Sequence, residues 1–128
     1  MPEVNAKKLI FCLCTAMVSA TAASGSLAEY EALEKSAKAG DYQAQRNVAY
    51  WLSGGYSGAP PLNPVLACAW RLVILESGST SVDSSDVSNK KLYCDRRLDA
   101  DGVKAAQAQA RTLQKSIPKG KRKAPAPQ

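Results

Sequence analysis

The stretch Ala37-Lys38-Ala39-Gly40-Asp41-Tyr42-Gln43-Ala44-Gln45-Arg46-Asn47-Val48-Ala49-Tyr50-Trp51-Leu52 decides the fold. On its N-terminal side Tyr30, Leu33 and Ala37 recur at helical spacing, and Glu31/Lys35 and Glu34/Lys38 stand four apart on the opposite face. That spacing predicts a helix over about 29–39. Gly40 stops it, since a residue without a Cβ takes the left-handed conformation that ends a helix. Asp41 is then placed to cap a second helix, which carries Ala44, Val48, Ala49 and Leu52 on one stripe. Two antiparallel helices joined by a short turn follow.

Working outward toward the C-terminus, Ser53-Gly54-Gly55 closes the second helix, and Tyr56, Gly58, Pro60 and Pro61 mark a loop. Asn63 is a good N-cap and Pro64 suits the first helical position. From there Val65, Leu66, Ala69, Trp70, Leu72, Val73 and Ile74 are apolar almost all round, which predicts the most buried helix of the chain. Glu76-Ser77-Gly78 ends it, and the Ser-rich stretch from Ser77 to Ser85 is a connector. A fourth helix is expected over about 86–98, with Val87, Cys94 and Leu98 at helical spacing and Leu92 and Tyr93 beside them. Asp99 can cap a fifth, in which Val103, Ala106, Ala110, Leu113 and Ile117 form a stripe and Asp101 sits near the positive end of the dipole. No strand pattern competes, so the fold class is all-α with about five helices.

The N-terminus reads as a secretory signal peptide: Lys7 and Lys8, an uncharged run from Leu9 to Val18, then small residues through Ala28. Ala20-Thr21-Ala22 and Ser26-Leu27-Ala28 both satisfy the small-x-small rule, so cleavage is expected after Ala22 or after Ala28. The apolar run is far shorter than the roughly 20 residues that span a bilayer. A periplasmic or secreted product is expected, touching a membrane only through the uncleaved signal peptide. Cys12 and Cys14 leave with the leader. Cys68 and Cys94 then remain in an oxidising compartment, where they either form one bridge or lie as two buried thiols. The chain thus divides into a leader (1–28), a helical domain (29–117) and a basic tail (118–128) with three prolines and nothing to bury, which is expected to be disordered.

Among the 128 residues there are 17 Lys+Arg against 11 Asp+Glu, a net charge of +6, and no histidine. The basicity lies mostly at the ends: residues 118–128 carry four cations and no acid, and the 29–117 segment is left with only +1. A folded nucleic-acid-binding domain normally carries a dense basic face, so the balanced middle argues against one. Without histidine, the usual triads, proton shuttles and zinc sites are excluded, and no phosphate loop, dinucleotide fingerprint or metal-ligand spacing is present. The closest approach to a carboxylate cluster, Asp95, Asp99 and Asp101, interleaves with Arg96 and Arg97 as helix ends and surface pairs. No catalysis, cofactor or metal is expected.

The run from Ala37 to Gln45, followed by Val48-Ala49 and Leu52, resembles the first half of a Sel-1-like repeat, a relative of the tetratricopeptide repeat. Asn63, Ala67, Trp70 and Gly78 match the second half, and Leu98-Asp99-Ala100-Asp101 resembles the start of the closing helix that follows the last repeat in such proteins. Ile74-Leu75 stands where the family has two alanines, and Pro60-Pro61-Leu62 replaces its short glycine-valine turn. The resemblance implies a short α/α solenoid-like array, one helical pair flanked by capping helices. Because solenoids need about three units to bury a continuous core, the flanking helices or a second copy in a homodimer must complete it.

The resemblance also implies binding to another protein. The contact candidates are the residues that packing does not need, Arg46, Tyr50, Trp51, Tyr56 and Arg71, because aromatic and Arg side chains dominate interface energetics. Partial burial against the first helix or the loop is the competing role for Tyr50 and Trp51. An adaptor, inhibitor or immunity-type protein is the favoured class. The alternative is a charge-driven binder of anionic envelope polymer or nucleic acid, using Lys115 and the tail residues Lys119, Lys121, Arg122 and Lys123.

Overall fold

A computed structural model describes residues 22–55 and 60–118, with side chains from Leu27 onward. Five α-helices and no strand occur among the described residues: α1 (Ala22–Lys38), α2 (Tyr42–Tyr50), α3 (Pro64–Glu76), α4 (Ser84–Lys90) and α5 (Ala100–Ser116). α2 runs on into Trp51–Gly55, which kinks at Gly54 (φ 90°), and α4 widens at its C-terminal end into a π turn, Lys91–Arg96.

Short polar side chains set the boundaries. Gly40 reverses the chain at φ 99°, and the Asp41 carboxylate accepts the Ala44 N–H at 2.6 Å to start α2. Asn63 accepts the Leu66 N–H at 3.0 Å, Pro64 takes the first position of α3, and the Asn63 N–H donates to the Leu52 carbonyl at 3.0 Å, closing the loop between α2 and α3. Asp99 accepts the Gly102 N–H at 2.7 Å to start α5. At α4 two acids cap reciprocally: Asp83 accepts from the Ser85 and Asp86 amides, and Asp86 accepts from the Asp83 amide at 3.0 Å.

α3 is the centre of the molecule. α2 and α5 pack directly on it, α1 packs on α2, and α4 lies against α3. Trp70 is fully buried in a cluster with Tyr30, Ala37, Val48, Ala49, Leu52, Val73, Ala110 and Ile117, contributed by or adjoining α1, α2, α3 and α5. Small residues at Ala44, Ala67 and Ala69 let the helices approach closely around the indole. Full burial of such a side chain stabilises by about 3 kcal/mol. A second, smaller cluster joins Cys68, Cys94 and Ala106. Of the flanking helices, α1 and α5 contribute side chains to the Trp70 core.

The structure corrects the sequence reading at three places. α1 begins at Ala22 instead of Glu29, because the Ala- and Ser-rich stretch before Glu29 continues the helix. Its contact with the core begins only at Tyr30, and Leu27 is 49% exposed. The fourth helix begins at Ser84, not Asp86, and ends in a π turn, so regular spacing from Val87 to Cys94 does not hold. Val87 is 43% exposed instead of facing the core. Of the two ion pairs expected on α1, Glu34–Lys38 closes at 3.3 Å, while Glu31 and Lys35 are exposed.

Candidate functional site

The most chemically varied region lies where α2, α3, α4 and the π turn after α4 meet. Asp86, in the first turn of α4, is 4% exposed. Its Oδ2 accepts the Tyr42 hydroxyl at 2.6 Å and the Asp83 N–H at 3.0 Å, and its Oδ1 pairs with Arg46 Nε at 3.3 Å. Arg46 also donates from Nη2 to Ser85 Oγ at 2.9 Å and lies over the Tyr42 ring, 5.6 Å from its centroid. Partial burial and the bond to Asp86 push the Tyr42 hydroxyl up to about 12. The Ser85 hydroxyl and amide hold the exposed Asp83 below its ordinary value. One buried carboxylate thus fastens α4 to α2 through a phenol and a guanidinium.

Beside it, Arg71 of α3 is 6% exposed and donates from Nη2 to Ser53 Oγ at 3.1 Å. Its guanidinium carbon lies 4.0 Å from the Tyr93 ring centroid, and that of Arg97 lies 4.6 Å from the same centroid. Burial lowers the Arg71 pKa, opposed by the fields of Tyr93 and Asp86. Arg71 Nε is buried with no hydrogen-bond partner among the described residues. The bridge between Cys68 and Cys94, with a Cα–Cα distance of 5.2 Å, ties α3 to the π turn that carries Tyr93 and is itself buried.

The structure separates the candidate contact residues. Arg46 and Tyr50 lie one helical turn apart along α2; Tyr50 is 54% exposed, and its ring rests where a Cβ on Gly55 would stand. Trp51 turns the other way and packs on the core, its ring 6.1 Å from that of Tyr30. Arg71 is not on the surface: it belongs to the buried layer of α3, held by Ser53 and Tyr93. Tyr56 and the tail residues Lys119, Lys121, Arg122 and Lys123 lie outside the described residues, as do residues 1–21 of the leader. Lys115 is exposed in the last turn of α5.

Tyr42, Asp86, Tyr93 and Arg97 were absent from the sequence candidates. Asp83-Ser84-Ser85-Asp86 carries an acid three residues after a capping acid, which signals reciprocal capping and could have drawn Asp86 inward. No described helix is long and apolar enough to cross a membrane, and no group of three metal-ligating side chains occurs among the described residues. No family profile, characterised protein or solved structure matches the chain.

Proposed function

We propose that the chain is an exported protein-interaction module of Sel-1-like type, without catalysis, whose contact surface is the outer face of α2. The carrying observation is Tyr50, an aromatic side chain 54% exposed on a helix whose opposite face is fully buried. An exposed aromatic on a rigid helix supplies contact area at low entropic cost. Arg46 one turn before it is fixed in place by Asp86 and Ser85, so it presents an already ordered cation. Trp51 and Arg71 are supports of this surface and leave the list of contact residues.

The buried Cys68–Cys94 bridge supports the exported reading, because such bonds persist in oxidising compartments. The test is affinity capture of the tagged protein from the envelope fraction of its host, wild type against Tyr50→Ala, with urea midpoints measured for both. Capture of one partner by the wild type and its loss in the variant at unchanged stability is the expected result. Equal capture by both removes Tyr50 from the surface.

A further inference from the structure

Arg46 pairs with the buried Asp86, Arg71 lies within the field of that carboxylate, and Arg71 and Arg97 both stack on the Tyr93 ring. The Asp86 oxygens are already committed: to the Tyr42 hydroxyl, to the Asp83 amide and to Arg46. Arg71 and Arg97 therefore have no carboxylate in ion-pair contact among the described residues, and Arg71 feels Asp86 only through its field. Both guanidiniums lie over one neutral ring, Tyr93, and their like charges oppose each other there. A tyrosine ring attracts a cation through its quadrupole but does not neutralise it. Arg71 is 6% exposed with an unpartnered Nε, so water supplies little of the missing compensation. This corner of the protein is built for an anion.

Next to it opens a cleft of about 400 Å³ lined by Leu52, Ser53, Leu62, Pro64, Tyr93 and Arg97. Its volume falls in the range of small-molecule sites. Three of its walls are apolar. The Ser53 hydroxyl is spent, donating to the Ala49 carbonyl at 2.7 Å and accepting from Arg71 at 3.1 Å. Among the described residues that leaves the Arg97 guanidinium and the Tyr93 hydroxyl as the polar side-chain groups of the lining. A peptide would bring several amide groups that these walls cannot satisfy, at a cost for each one buried. An occupant whose polarity is confined to one anionic end meets no such cost.

We propose that this cleft binds a small monocarboxylate with an alkyl or aryl body, its carboxylate on Arg97 beside Tyr93 and its body against Leu52, Leu62 and Pro64. The planar fork of Arg97 matches a carboxylate in two parallel hydrogen bonds. Arg71 acts from behind the Tyr93 ring as a fixed positive charge and does not need to touch the ligand.

The test is a titration of the 15N-labelled, oxidised protein at low salt with 3-phenylpropionate and octanoate, against 3-phenylpropionamide as the neutral isostere and N-acetyl-phenylalanine as a mimic of a peptide C-terminus. Saturable amide shifts centred on Ser53, Tyr93 and Arg97 are expected with the two free acids, weaker by about tenfold with the amide. Arg97→Gln, an exposed change that leaves the core intact, should weaken the acids by a similar factor and leave the amide unaffected. Raising the salt should weaken the acids alone. Equal binding of acid and amide, an unchanged affinity in Arg97→Gln, shifts centred elsewhere, or no saturation would each overturn the proposal. Tighter binding of N-acetyl-phenylalanine than of 3-phenylpropionate would overturn it in favour of a polypeptide C-terminus.

Discussion

The two sides of α3 are held by different physics. Toward α1, α2 and α5 it is held mainly by apolar side chains, with Trp70 at the centre and Val48, Ala49, Val73 and Ile117 around it. On the side of α4 and its π turn the apolar contribution shrinks to a small patch around Cys68 and Cys94, bordered by Ala106 of α5, and the attachment is a covalent bond to α3 plus the Asp86 network to α2. Broad apolar burial is non-directional and tolerates small shifts, whereas a bridge and a three-partner carboxylate fix one geometry or fail. α4, with seven residues and an outward Val87, has too little apolar surface to stay docked by burial alone. The chain compensates for a short polar helix with a crosslink and a buried charge.

The sharpest way to break the apolar side is Trp70→Ala. Removing a fully buried indole should cost about 3–5 kcal/mol, read as a drop in the urea midpoint at constant m-value. Replacing both Cys68 and Cys94 by Ala attacks the other side. Their separation of 26 residues corresponds to a loop-closure term of about 3.5 kcal/mol. Hydrogen exchange should show the α4 amides losing protection first while α2 and the middle of α3 keep theirs. If α4 and α2 lose protection together, the two sides are one cooperative unit.

Asp86→Ala strands the Tyr42 hydroxyl, the Asp83 amide and Arg46 at once, and should cost about 2–3 kcal/mol by chemical denaturation. The two sides also differ in their response to alkali. Tyr42 in the polar side and Tyr30 in the apolar side are both pushed up to about 12, Tyr42 by partial burial and then its bond to Asp86, Tyr30 by burial and then the nearby Glu34. A raised folded pKa means that the proton is held more tightly in the folded state. The associated stability is complete below the ordinary value of 10 and is lost as pH rises toward 12. Tyr42→Phe should flatten part of the fall between pH 10 and 12, and its effect should vanish in an Asp86→Ala background to the extent that the hydrogen bond carries it. The smallest effect is expected from Val87→Ser, within about 0.5 kcal/mol, because the side chain already faces solvent.

The same division governs how much could be read from the sequence. On the apolar side the signals are local and regular: Gly40 at the turn, Asp41, Asn63 and Asp99 at the caps, and Ala44, Val48 and Trp70 on the inward stripes all take the places their spacing predicts. On the α4 side the inward positions are occupied by Asp86 and Cys94, so hydrophobic periodicity has little to detect. The π turn at Lys91–Arg96 then breaks the register on which the Val87 reading depended. Arg71 misled for a related reason. It stands among the residues that the packing pattern does not need, but its place between Trp70 and Leu72 in an otherwise apolar helix puts it inside. The partners that make its burial tolerable, Ser53 and Tyr93, lie 18 and 22 positions away, beyond what spacing can reveal. The candidate anion site rests on such long-range meetings, which is why it emerged only from the folded chain.

The Trp70 cluster reaches from Tyr30 to Ile117, most of the length of the described chain. A polypeptide that emerges N-terminus first carries α1, α2 and α3 with the side of the core facing α5 still open, and Ile117 is the last described residue to be buried. Completion of the core is thus timed by the arrival of the final helical turn. Until then α3, the most hydrophobic helix, has nothing to close over its α5-facing side.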